Sequence, residues 1–455
     1  MRKRYTAALA TLGLTVAGLV VPGLTGTASA GDSAAAGAAY DQFIVTFADG
    51  ADTRELKGVD LMRATGTGSV VVKSAHKLNR SGAAALMTEL GKQAGVYSVE
   101  PDLVMTKQFT PNDTRYLEQW DLFEPTGGMN APTAWDTADG AGVTVAVIDT
   151  GITLHSDLNG NVLPGYDFIS DAATARDGNG RDPNPNDEGD WFLAGECGST
   201  TPSDSSWHGS HVAGTIAAVS NNTNGIAGIA RAAKILPVRV LGKCGGFTSD
   251  IADAITWASG GRVSRVPTNP NPAKVINLSL GGSGACGRTF QRAIDGAVSR
   301  GTTVVIAAGN SNANVSGFSP ANCNNVVSVA SNDRQGNRAF YSNFGTLIDV
   351  TAPGGEVRNE TDPPGSRTKP QDGVLSTLNA GLTTQTTTET YNTYMGTSMA
   401  APHVAGLVAL MLGEVSLNPA SVEAALKAHA RPLPGTCTGG CGAGIIDAAA
   451  TIAAL

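Results

Sequence analysis

Val143-Thr144-Val145-Ala146-Val147-Ile148-Asp149-Thr150-Gly151 is a nearly unbroken apolar, β-branched run that stops on a carboxylate, a hydroxyl and a glycine. A strand with one wet face alternates apolar and polar residues. A run this uniform reads as a strand buried on both faces, the habit of parallel sheets. Ala233-Lys234-Ile235-Leu236-Pro237-Val238-Arg239-Val240, Lys274-Val275-Ile276-Asn277-Leu278-Ser279 and Thr302-Thr303-Val304-Val305-Ile306-Ala307-Ala308 have the same character. Helical stretches follow two of them, around Ile251–Trp257 and Phe290–Val298. This alternation predicts an α/β fold: a mostly parallel sheet with helices on both faces. The runs end in Asp149-Thr150-Gly151, Ser279-Leu280-Gly281-Gly282 and Gly309-Asn310. Open α/β sheets bind ligands beyond the carboxyl ends of their strands, so chemistry is to be sought at these endings.

Upstream the rhythm differs. The chain of 455 residues is long enough for more than one folding unit. Arg2, Lys3 and Arg4 precede an uncharged apolar stretch from Ala7 to Leu24, then Ala28-Ser29-Ala30. That is the pattern of a secretory signal peptide over 1–30, interrupted by Pro22 and Gly23 and so unlike a membrane anchor. An Ala/Gly-rich spacer covers 31–39. β-prone runs at Phe43–Phe47, Ser69–Lys73 and Val96–Asp102 flank a helical spacing of Ala84, Leu86, Met87 and Leu90. Residues 31–109 therefore form a spacer plus a small α+β unit, and 110–455 the α/β domain. Thr383–Thr393 is expected to be a surface loop or strand ladder.

The net charge is −8, with 11 Lys/Arg against 9 Asp/Glu up to residue 109 and 20 against 30 beyond it. An acidic main domain argues against nucleic acid, which needs clustered cations, and suits bound calcium. All six cysteines lie beyond residue 196: Cys197, Cys244, Cys286, Cys323, Cys437 and Cys441. An even count in an exported chain favours disulfides. Spacing leaves all the pairings open, although Cys437 and Cys441 are close enough to pair locally. No C-x-x-C is present, so zinc is not expected.

Three motifs then stand in order: Asp149-Thr150-Gly151; His208-Gly209-Ser210-His211-Val212-Ala213-Gly214-Thr215; and Gly396-Thr397-Ser398-Met399-Ala400-Ala401-Pro402. A serine hydroxyl is a poor nucleophile until a base takes its proton and a carboxylate orients that base. Ser398 opens an Ala-rich helix, where unpaired backbone N–H groups favour developing negative charge. An α/β-hydrolase esterase would need Gly-x-Ser-x-Gly and the order Ser, Asp, His, and has neither here.

These motifs resemble the three signatures of the subtilisin-like serine proteases, or subtilases, in that family's order, across residues 110–455; Ser210 stands where Thr is commoner. The resemblance implies a secreted serine endopeptidase. Ser398 would be its nucleophile, His208 its base and Asp149 the carboxylate. Ala307-Ala308-Gly309-Asn310-Ser311 matches the family's oxyanion motif and makes Asn310 the side-chain donor. Ser279-Leu280-Gly281-Gly282 and Gly245-Gly246 resemble the two edges that grip a substrate strand. Neither edge carries an acid, so a broad or apolar preference is expected. His211 and His403 read as structural. The unit at 40–107 resembles an inhibitory propeptide, with a boundary between Lys107 and Arg115 and autocatalytic processing. Protein or peptide substrates, the chain's own propeptide as inhibitor and folding aid, no membrane after signal removal and a monomeric state complete the implied picture. A catalytically silent scaffold of the same shape is the alternative.

Asp177–Asp190 is dense in oxygen ligands and turn formers, and Glu188 stands twelfth from Asp177, but no flanking helices mark an EF-hand. Asp177, Asn179 and Asp182 are candidate calcium ligands, the alternative being a solvated acidic loop. Asp157 and Asp349 resemble calcium-ligand positions of the family.

Overall fold

A computed structural model describes residues 40–48, 56–103 and 109–455. The signal-peptide reading of 1–30 and the spacer of 31–39 lie outside the described residues.

The first part is a four-stranded antiparallel sheet, β1 (Tyr40–Phe47), β2 (Asp60–Ala64), β3 (Val70–Leu78) and β4 (Val96–Pro101), in the order β2-β3-β1-β4. The helix α1 (Arg80–Gly91) is capped by the Asn79 side chain, which accepts from the Gly82 N–H. Phe43 and Val45 pair with Val72 and Val70, and all four are buried. β2 was not foreseen: all five of its residues are exposed, so it carries no burial pattern.

The second part is built on seven parallel strands: β5 (Thr144–Asp149), β6 (Tyr166–Asp167), β7 (Lys234–Arg239), β8 (Val275–Leu278), β10 (Thr303–Ala307), β12 (Val327–Asn332) and β13 (Val350–Pro353). Their order is β13-β12-β10-β8-β5-β7-β6, which puts β5 inside the sheet between β8 and β7. Small ladders stand apart: β9 (Gly282–Ser283) with β11 (Phe318–Ser319), and β14 (Val374–Asn379) with β15 (Glu389–Tyr394). The Thr-rich stretch thus ends in a strand ladder.

Both faces of the large sheet are covered, as the unbroken apolar runs require. Val145, Val147, Ile235, Val275 and Val305 pack with helices α2 (His208–Ala217) and α5 (Thr397–Glu414). The alternate residues Ala146, Ile148, Leu236, Ile276 and Ile306 pack with α3 (Thr248–Ala258) and α4 (Arg288–Ser299). The period of two along each strand therefore divides the interior into two cores. The helix α6 (Pro419–His429) follows α5, and a short helix over Ala448–Ala453 comes after it. Among the described residues no single helix is long and apolar enough to cross a membrane.

The six cysteines form Cys197–Cys244, Cys286–Cys323 and Cys437–Cys441, the last being the local pair that spacing allowed.

Candidate active site

Asp149 is the last residue of β5 and is fully buried. His208 is the first residue of α2. Its Nδ1 lies 2.8 Å from Asp149 Oδ1, which also accepts the Thr150 N–H at 2.7 Å. Two local features bring helix and strand end this close. Trp207 takes a left-handed φ of 49°, unusual for a bulky residue, and its indole N–H is anchored on the Gly381 carbonyl at 2.7 Å. At Gly209 a Cβ would stand 2.2 Å from the Gly151 carbonyl oxygen, so only glycine permits the approach.

The His208 side chain is 20% exposed, and its Nε2 has no hydrogen-bond partner among the described residues. Burial by itself would pull the imidazole pKa down. The charge and hydrogen bond of Asp149, with the charges of Asp190 and Asp187, outweigh it and leave the pKa above the ordinary value.

Ser398 lies in the first turn of α5, and Pro402 sits four residues on inside the helix. Proline has no N–H, so the Ser398 carbonyl loses its intrahelical donor. The Ser279 hydroxyl donates to that carbonyl instead, at 2.8 Å. In return the Ser398 hydroxyl donates to the Ser279 carbonyl at 3.2 Å. The helix start is thus latched to the end of β8. In this state the hydroxyl is turned to Ser279, and no hydrogen bond joins it to His208.

Asn310 follows β10. Its Oδ1 accepts both the Thr397 N–H, at 2.8 Å, and the Thr397 hydroxyl, at 3.0 Å. With its oxygen fixed, the amide must turn its NH2 the other way, into a cavity it lines with Ser398. The neighbouring Gly309 has φ 104° and passes against Asn343, whose amide holds the Ala308 carbonyl and the Ser311 and Ala313 N–H groups. The Asn310 NH2 and the unpaired Ser398 N–H at the helix start form a pair of donors able to receive an oxyanion.

Both sequence-predicted edges border one cleft of about 710 Å³, lined by Gly245 and Gly246 on one side and Ser279, Leu280, Gly281 and Gly282 on the other. His208 opens into it. A second cavity of about 370 Å³ shares the Ser279–Ser283 wall and holds Gly309, Asn310, Phe318 and Ser398. One wall thus separates the imidazole's cleft from the hydroxyl's pocket.

Asp190 is the site residue that sequence reasoning missed. It lines the cleft with His208, yet sits in a stretch without a motif, read only as the end of an acidic loop. Cys197 was the available signal, since its bond to Cys244 pins that stretch beside Gly245. The other histidines are tied elsewhere. His211 Nε2 contacts the Asn392 carbonyl and its ring stacks on Tyr394, and burial pushes its pKa down to about 3. His403 is held by the Met399 carbonyl and Asp121.

The candidate calcium ligands fall in three places. Asp157 is buried and accepts from the Asn222 amide, the Ile226 N–H and the Tyr391 hydroxyl; burial raises its pKa to about 6. Asp349 pairs with Lys427 at 2.8 Å and accepts the Ser328 N–H. Asp177, Asn179 and Asp182 share one turn, where Asn179 donates to Asp182 and the buried Asp177 Oδ2 has no hydrogen-bond partner, with Arg239 at 3.7 Å. Among the described residues no group of three or more His, Cys, Asp or Glu is gathered as a metal site. Of the five candidate ligands, Asp177 alone has a buried oxygen without a hydrogen-bond partner, and that oxygen faces the Arg239 guanidinium.

A parallel α/β core with a strand-end Asp–His pair, a helix-start serine and a preset amide donor defines a serine hydrolase of the peptidase class. The family model for the subtilase family matches residues 140–444. An extracellular protease of Xanthomonas campestris pv. campestris is 52% identical over 93% of this chain and 74% of its own length. An extracellular basic protease of Dichelobacter nodosus is 42% identical over 87% of this chain and 64% of its own. Among solved structures, a protease from Pseudoalteromonas arctica is 56% identical, with a TM-score of 0.73 over 76% of this chain and 99% of that one. The chain belongs to the subtilase family and is a serine-type endopeptidase. The sequence reading of family and fold is borne out.

Proposed function

We propose that Asp149, His208 and Ser398 act as one catalytic unit in hydrolysing peptide bonds through an acyl-enzyme. The observation that carries this is the 2.8 Å Asp149–His208 pair whose outer nitrogen is left free at the cleft wall shared with Ser398. Productive binding requires the Ser398 hydroxyl to leave the Ser279 carbonyl and meet His208, a tightening expected of catalytic hydrogen bonds once substrate is bound. His208 takes the proton and later delivers it to the leaving amine. Asp149 fixes the tautomer and stabilises the imidazolium. Asn310 and the Ser398 N–H receive the oxyanion. Replacing Asn310 by Ala is expected to lower kcat by about 10²–10³.

The substrate adds as a strand between the Gly245-Gly246 and Ser279–Gly282 edges, and its side chains fill pockets on alternate faces. The pocket containing Ala307, Ala308, Gly309 and Phe318 has no acid, which favours an apolar residue at the scissile position.

Residues 1–30 act as the export signal, 31–109 as spacer and inhibitory propeptide, and 110–455 as a monomeric extracellular enzyme. Phe109 already donates its N–H to Asp136, and Arg115 to the Gly225 carbonyl, which supports a boundary close to Phe109. Calcium, where bound, is assigned to Asp177, Asn179 and Asp182 as a structural ion. A chelator would then lower Tm without changing cleavage specificity.

The decisive test is peptide mapping of a denatured protein incubated with the wild type or with Ser398→Ala. Fragments from the first alone, blocked by a serine-directed phosphonylating reagent, support the reading. Fragments from both, or from neither, overturn it. In a protease-free host Ser398→Ala should accumulate as uncut precursor; correctly cut product would refute self-processing.

A further inference from the structure

The cleft lining is chemically mixed: it joins His208 to the polar Thr150, Asp190 and Ser206 and to the apolar Leu241, Ile251, Leu280 and Phe290. That lining contains a half-buried carboxylate, Asp190, to which the proposed mechanism gives no contact with the substrate.

Asp190 is placed, not loose. Its Oδ1 accepts the Ser206 N–H at 2.6 Å and its Oδ2 the Ser206 hydroxyl at 2.8 Å. The Phe192–Ser203 bridge closes the excursion that follows it. The Cys197–Cys244 disulfide then ties that excursion to the residue before Gly245, on the substrate-gripping edge. Among the described residues no Lys or Arg forms an ion pair with Asp190. Arg176 donates instead to the Gly189 carbonyl and lies 4.0 Å over the Trp191 ring. The carboxylate therefore keeps unsatisfied charge toward the cleft.

An extended substrate sends successive side chains to opposite faces. With the scissile residue's side chain in the pocket beside Asn310 and Ser398, the preceding residue points to the opposite side, into the cleft that His208 lines. We infer that Asp190 is a specificity-determining residue that favours a Lys or Arg immediately before the scissile residue. The inference rests on the endopeptidase reading above. It narrows the broad preference drawn from sequence, where neither edge showed an acid because the acid comes from a third segment.

The test uses the processed wild-type enzyme and two peptides that differ at that one position, Lys against the neutral, similarly long norleucine. The ratio of kcat/KM is expected to favour Lys by about tenfold at low salt and to shrink as ionic strength rises, as for a partly exposed ion pair. Asp190→Asn keeps one oxygen to accept the Ser206 N–H and turns its NH2 to donate to the Ser206 hydroxyl, which can reverse its role, and should collapse the ratio to about one. A wild-type ratio near one overturns the inference. So does a ratio that Asp190→Asn leaves unmoved while both rates fall, since Asp190 would then only support Ser206. Should the wild type cleave neither peptide nor any denatured protein, the endopeptidase reading itself fails, which is a different outcome from equal cleavage of both.

Discussion

His208 and His403 each hold an aspartate in the interior, Asp149 at 2.8 Å and Asp121 at 3.0 Å. In composition the two pairs are the same; in wiring they differ. His208 spends only Nδ1 on its partner, leaves Nε2 free and is 20% exposed at the cleft. His403 spends both nitrogens, Nδ1 on the Met399 carbonyl at 2.7 Å and Nε2 on Asp121, and its side chain is not exposed at all. A proton relay needs one nitrogen to hold and one to give. The His403 pair is a cross-link between α5 and the segment around Asp121. The His208 pair is wired as the proposed base needs to be.

The sharpest way to break this contrast is to delete each imidazole. His208→Ala should lower kcat by roughly 10⁶, because the nucleophile and base act as a unit, and should lower stability too, since Asp149 is left buried with an oxygen that already lacks a partner. His403→Ala should lower stability alone. Asp121 would be left buried beside an unpaired oxygen that already lacks a partner, at a cost of about 3–5 kcal/mol in stability. Its folded fraction should still turn over. Loss of turnover in the folded fraction of both variants, measured by calorimetry and by active-site titration, would show that the two pairs are not functionally distinct. A milder intervention, Asp149→Asn, keeps the shape but offers the wrong hydrogen-bond partner, and kcat should fall by roughly 10⁴.

Much of this was legible in the residues. The uniform runs at 143–148, 233–240, 274–279 and 302–308 announced strands buried on both faces, and both faces are covered. The strands at Val327–Asn332 and Val350–Pro353 went unread, since their apolar residues are interspersed with and flanked by polar ones. Asp149, His208 and Ser398 stand at strand ends or helix starts, and their three motifs in order, with the family resemblance those motifs carry, located them; Asn310 came from the resemblance. What sequence could not reveal depended on long-range contact. Pro402 was visible, but its effect, freeing the Ser398 carbonyl for Ser279 across 119 positions, was not. Nor was Asp190, which reaches the cleft because a disulfide spanning 47 positions holds its loop there. His211 and His403 look alike in sequence; only the structure shows that both are buried away from the cleft, His211 stacked on Tyr394 and His403 bonded through both nitrogens.

The smallest effect concerns pH, and it sharpens the same contrast. Burial lowers the His208 pKa, and the carboxylates, Asp149 foremost, more than restore it, so the folded value lies above the unfolded one. The catalytic form is the neutral one. Activity should therefore rise with pH through an apparent pKa above about 6.5, the ordinary imidazole value. The stability linked to this group has the opposite sense. It is fully present below about 6.5 and is lost as pH climbs through the raised folded value. His211 runs the other way: burial holds it near 3, so its contribution is present above about 6.5 and is withdrawn as pH falls below that. In Asp149→Asn the charge that lifts His208 is gone, and the residual activity should rise at a more acidic pH than in the wild type. A kcat/KM profile recorded for both forms decides it. A wild-type limb at or below about 6.5, or one that Asp149→Asn does not move, would mean that Asp149 does not set the charge state of His208.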